Sequence, residues 1–128
     1  MRRGAGNHAA ENTLSGSVSN GATWSVNYIL RNYNGDNVTG YSADTFQWQF
    51  RTSEENDAAD LTLSTTAGTL SVSETDGVTT VTVNAAQSVI AGMCGDYVSD
   101  LVSKDSVTGN LTHHGHGIIT FNNSPIEF

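Results

Sequence analysis

The sequence predicts an all-β fold: an antiparallel β-sandwich of about seven strands, with one short helical turn and an extended N-terminal arm. Three observations carry that prediction. Across residues 40–51, Phe46, Trp48 and Phe50 recur at every second position, with Thr45, Gln47, Gln49 and Arg51 between them. This period sets three rings on one face of an extended strand and the polar side chains on the other. Each ring contributes about 2–3 kcal/mol when fully buried, so this strand is expected to centre the core. An aromatic binding stripe is the alternative, and it would need the same rings exposed. The second observation is composition. Apolar residues make up 37% and charged residues only 14%, with Ser, Thr, Asn and Gly abundant, which suits short strands and tight turns better than helices. Third, turn signals recur at short, regular intervals along the chain.

Residues 1–20 form the arm and residues 21–128 the sandwich. In the arm, polar residues and glycines leave only Leu14 and Val18 as apolar anchors. Alone, such a segment buries too little surface to offset its ordering entropy. It either lies on another subunit or folds back along its own domain. Arg2 and Arg3, with Leu14 and Val18, are the candidate partner-binding residues, the arginines facing an acidic partner.

In the sandwich, Ala22, Trp24, Val26, Tyr28 and Leu30 alternate with Thr23, Ser25, Asn27 and Ile29 as a first strand. Asn34-Gly35 marks a turn. Residues 38–51 form the aromatic strand, bent at Gly40, and residues 53–60 an exposed acidic loop. Residues 61–63 and 70–72 are short strands around a turn at Ala67-Gly68. Asp76-Gly77 opens a hairpin into a strand carrying Val78, Val81 and Val83. Residues 84–91 read as a helical turn with Asn84 as N-cap, ended by Gly92 and Gly95. Residues 97–102 form another strand. Residues 118–121 form the last one, after a glycine-rich histidine segment expected to be a loop.

A net charge of −8 with five basic residues disfavours nucleic acid and anionic membrane surfaces as partners. Apolar runs of a few residues are too short for a membrane-spanning helix. No apolar segment follows Met1-Arg2-Arg3, so no secretory signal is expected. Cys94 is the single cysteine, which excludes an intrachain disulfide and fits a reducing compartment.

Chemistry-bearing motifs are few. On a regular strand His114 and His116 would share a face, a spacing that can ligate one metal ion, with a third ligand from His113 only if the backbone turned, or from a histidine of a symmetry mate on a shared axis. The ordinary alternative is a solvated loop or an interface of neutral imidazoles. The acidic loop with Glu54, Glu55, Asp57 and Asp60 lacks the alternating ligands and central glycine of a calcium loop. No nucleophile elbow or phosphate-binding loop is present. Cys94 has no histidine nearby in sequence and reads as a buried or partly buried thiol. Tyr97 sits where a tyrosine can pin a sandwich corner by bonding its hydroxyl to upstream backbone. No catalytic residue, metal ligand or cofactor is therefore expected.

Six fragments in order carry a resemblance: Ala22-Thr23-Trp24; Gly35-Asp36-Asn37-Val38-Thr39-Gly40-Tyr41, leading into a strand ended by Arg51; Leu61-Thr62-Leu63-Ser64; Val81-Thr82-Val83-Asn84-Ala85-Ala86-Gln87; Gly95-Asp96-Tyr97-Val98-Ser99-Asp100-Leu101; and Gly117-Ile118-Ile119. Over residues 21–121 the chain resembles the immunoglobulin-like virion structural domains of tailed bacteriophages, including the N-terminal domain of some upper baseplate proteins. It differs from that pattern in its only proline, Pro125, and in the histidines of its last strand. The resemblance implies an immunoglobulin-like sandwich and a non-enzymatic structural role in the virion, assembled in the host cytoplasm. It implies other virion proteins of the tail or baseplate, and copies of the chain itself, as partners in a homo-oligomer. A capsid decoration protein on the outer shell, bound to the major capsid protein, is the alternative that the arm raises. A carbohydrate- or receptor-binding module using Tyr33, Tyr41 or Phe128 is a further one, and a small hydrolase would need a concave polar site.

Overall fold

The computed structural model describes residues 8–32, 34–52 and 58–123, with side chains from Leu14 onward. Two β-sheets face each other across one core, one of them curled into an open half-barrel, with one short helical turn among the described residues. The first sheet has the order β1 (His8–Thr13), β9 (Leu111–Asn122), β8 (Gly95–Lys104), β4 (Thr45–Arg51), β5 (Leu61–Ser64). β2 (Gly16–Ser19) continues along β9 beyond β1. The second sheet has the order β3 (Trp24–Ile29), β7 (Val78–Ala85), β6 (Leu70–Thr75). All pairings are antiparallel except those of β1 and β2, which run parallel to β9.

The aromatic strand behaves as its period predicts. Phe46, Trp48 and Phe50 are each fully buried, while Gln47 is exposed and Gln49 half-buried. Trp24 of the opposite sheet closes on them, with ring centroids 5.3 Å from Trp48, 5.8 Å from Phe50 and 5.7 Å from Phe121. These tilted and edge-on contacts are the geometry that ring quadrupoles favour. Leu63, Val81, Val83, Ala85, Leu101 and Ile119 complete the layer between the sheets.

Several expected boundaries shift. The aromatic strand starts at Thr45, because Gly40 (φ +94°) and a turn closed by Asp44 N–H donating to Tyr41 C=O break the preceding run. The hairpin at Asp76-Gly77 forms with both residues left-handed (φ +55° and +79°), the pairing whose twist suits two-residue hairpins. The helical turn α1 is Gln87–Ile90, and its N-cap is Ala86. Asn84 is not the cap, because β7 continues through it, paired with Ser25. The histidine segment is not a loop. Its backbone continues as β9, hydrogen-bonded to β8 along its length.

The N-terminal segment lies on its own domain from His8 onward. Leu14 and Val18 are buried in the chain's own core, so neither is an exposed anchor for another protein in this state. Leu14 N–H donates to His116 C=O at 2.9 Å, and its backbone crosses directly over Gly117, where a Cβ would overlap the Leu14 carbonyl. Hydrogen-bonding an edge strand and burying two side chains outweighed the polar composition. Arg2 and Arg3 lie outside the described residues.

Candidate functional site

Three histidines and their polar partners gather on β8, β9 and the turn before β4. The organising feature is a bulge. Val102 pairs with His113 and Leu101 with Gly115, so His114 has no register partner. One extra residue on one strand reverses the inward–outward alternation beyond it. His113 and His116 therefore share the outer face, their ring centroids 6.0 Å apart, while His114 points between the sheets. The expected pairing of His114 with His116 on one face is thus overturned, since uniform alternation ignores the bulge. On the outer face, His113 Nε2 lies 2.9 Å from Asp100 Oδ1, a half-exposed contact. Among the described residues no group of three His, Cys, Asp or Glu side chains is placed to hold a metal ion.

His114 is fully buried. Its ring stacks on Phe46 (5.2 Å, 23°) and meets Tyr41 edge-on (4.7 Å, 89°). The tight turn after Gly40 swings Tyr41 over it. Nε2 lies 2.8 Å from Ser103 Oγ, and Ser103 Oγ lies 3.4 Å from Asp44 Oδ2. Burial, with a smaller contribution from the His113 charge, pushes the His114 pKa down to about 4, so the ring is neutral at physiological pH.

Serine, histidine and aspartate thus meet, but not as a nucleophilic triad. In a triad the carboxylate orients the histidine, whereas Asp44 contacts the serine. Ser103 is 1% exposed and His114 0%, so neither presents a reacting atom to solvent. Sequence reasoning missed Ser103 and Asp44, because their meeting depends on the β4–β8 pairing and on the bulge.

An open groove of about 360 Å³ lies on the face of the first sheet. Thr45, Gln47 and Gln49 of β4, Val102 and Lys104 of β8, and Leu111 of β9 line it. Gln49 Nε2 donates to Gln47 Oε1 at 3.1 Å, and Arg51 donates to Gln49 Oε1, so part of this polar surface is tied together along one strand. Leu111 is 70% exposed beside it. A shallow surface that mixes polar side chains with apolar Val102 and Leu111 has the makings of a contact face.

The remaining candidates are dispersed. Cys94 is exposed rather than buried, because it lies in the corner before β8, where its N–H donates to Tyr97 Oη at 3.4 Å. Tyr97 itself is buried, so the expected corner contact forms. Tyr41 is half-buried over His114, while Tyr33 and Phe128 lie outside the described residues. Of the acidic loop, Glu54, Glu55 and Asp57 lie outside them too, and Asp60 Oδ2 accepts the Thr52 N–H at 3.0 Å. No helix among the described residues is long and apolar enough to cross a membrane. In comparisons with known proteins, no family model matches this chain and no curated protein does either.

Proposed function

We propose that the chain is an immunoglobulin-like, non-enzymatic structural domain of a tailed-bacteriophage virion. It packs against tail or baseplate proteins and against copies of itself. The strand order supports the finer fold reading: β3-β7-β6 on one sheet opposes β9-β8-β4-β5 on the other, with the first strands parallel to the last. Immunoglobulin-like sandwiches divide their strands between sheets in this way. Trp48 lies on the strand where antibody domains pack a tryptophan against a disulfide, and Trp24 fills that space here. Tyr97 makes the corner contact expected of the same architecture.

One observation carries the functional reading. Ser103 and His114 are sealed between the sheets, while His113, Asp100 and His116 stand on an outer strand face. A rigid sandwich of that kind offers faces and edges for assembly. The virion setting rests on the sequence resemblance, and fold alone would not choose it. Quantitative mass spectrometry of purified phage particles tests it. Abundance near that of the portal places the chain in a tail or baseplate ring. Abundance near that of the major capsid protein makes it a shell decoration. Absence from particles overturns the virion reading.

A further inference from the structure

We propose that residues 8–20 form an exchangeable strand: the segment that lies on β9 of its own domain takes the same seat on β9 of a second copy and couples the two chains. This deepens the assembly reading above and names the partner as the chain itself.

The seat is built for this segment. Leu14 enters the core and its backbone occupies the gap left by Gly117, which no other residue could leave. Val18 follows it inward opposite Phe121. Asn20 then locks the end, its Nδ2 donating to Met93 C=O at 2.7 Å and to Asn123 Oδ1 at 3.1 Å, while its N–H donates to Asn122 C=O. These hydrogen bonds are with β9, the residue that follows it and the corner before β8, so a second copy's segment would find the same partners in the same register.

The segment is also an edge element of its sheet. Its described pairing runs along one side only, with β9, and over residues 14–20 it buries two apolar side chains, Leu14 and Val18. Units with little buried apolar surface open at the low end of the stability range. What tethers the segment is a short exposed link, Gly21, Ala22 and Thr23, before Trp24 enters the core. Short links between an exchangeable element and its domain favour exchange, because the closed form must turn tightly and the exchanged form need not. The four Cα–Cα steps from Asn20 to Trp24 span at most about 14 Å, so the two copies must meet at this corner. Gln87 of α1 holds Asn20 C=O there, and Val89 on the same turn is 39% exposed, an apolar contact ready at the meeting point.

Exchange is read by a disulfide that can form only in trans. Ser17 and Thr120 are register partners on β2 and β9. In a Cys94→Ser background, one chain carries Ser17→Cys and a differently tagged chain carries Thr120→Cys. The two are mixed at high concentration and oxidised. Exchange yields a covalent heterodimer on a denaturing gel, and a Gly-Ser insertion after Gly21 lowers its yield severalfold. Ser19→Cys with Asn122→Cys, also register partners and both exposed, repeats the test should the first pair disturb folding. Ser17→Cys with Ser73→Cys, on the other sheet, should stay uncoupled. Absence of the heterodimer in both matched pairs, or equal coupling of the mismatched pair, overturns the proposal. Because purified protein is used, that result leaves the particle-abundance test of the assembly reading untouched.

Discussion

His114 shows how one buried side chain sets a pH limit on the fold. It is held neutral between Phe46 and Tyr41, with Ser103 at its Nε2 and the His113 charge opposing its protonation. Its pKa falls from 6.5 to about 4 on folding. Above pH 6.5 the ring is neutral in both states and contributes no pH dependence. Between pH 6.5 and 4 the unfolded chain binds a proton that the folded chain refuses, so stability falls with falling pH, by about 3 kcal/mol across that window. Urea midpoints at pH 7, 5.5 and 4 measure this, and His114→Gln, which cannot titrate, should flatten the profile. An identical slope in that variant would assign the acid sensitivity elsewhere. At Tyr97 the stake is smaller. Its hydroxyl accepts one long hydrogen bond from the Cys94 N–H, so Tyr97→Phe should cost about 0.5–1 kcal/mol. An unchanged unfolding midpoint would remove the corner from the list of stabilising contacts.

At the scale of elements, the seat of β1 and β2 on β9 depends on a missing side chain. Gly117→Ala would drive a methyl group into the Leu14 carbonyl, backbone that can yield only by lifting the strand. We expect a loss of about 1–3 kcal/mol, with loss of hydrogen-exchange protection at Leu14 and Val18 before any elsewhere. Retained protection at those amides would mean that β9 shifts instead. The same element marks the limit of what the sequence discloses. Phe46, Trp48 and Phe50 announced their strand because local alternation and burial agree there. Asp76-Gly77 announced its hairpin because both residues tolerate the backbone the turn needs. The sequence leaves the destination of Leu14 and Val18 open between their own domain and another subunit, since pairing to a strand about a hundred residues away leaves no local period. The bulge at His114 was equally hidden. Nothing in Leu111-Thr112-His113-His114-Gly115-His116 fixes which residue is extra until β8 supplies the register.

Over the whole molecule, neither sheet owns the core. Trp24 from the three-stranded sheet is packed against Trp48, Phe50 and Phe121 from the other, so separating the sheets exposes the largest buried side chains of both. A half-formed sandwich would therefore expose its apolar face without compensation, and intermediates with one intact sheet should not populate. Both tryptophans are in this layer, at 7% and 0% exposure, so their fluorescence reports its packing directly. Far-UV circular dichroism reports the strands. In urea the two signals should trace one coincident transition, as a two-state domain requires. Folding should be slow for this size, in the millisecond-to-second range, because β1 and β2 must find β9 across nearly the full chain and β3 must find β7. Fluorescence lost before the circular dichroism signal would show that the sheets survive the loss of their shared aromatic layer. The strands would then owe their stability to pairing within each sheet, and the Trp24–Trp48 contact would be a consequence of the fold rather than its organiser.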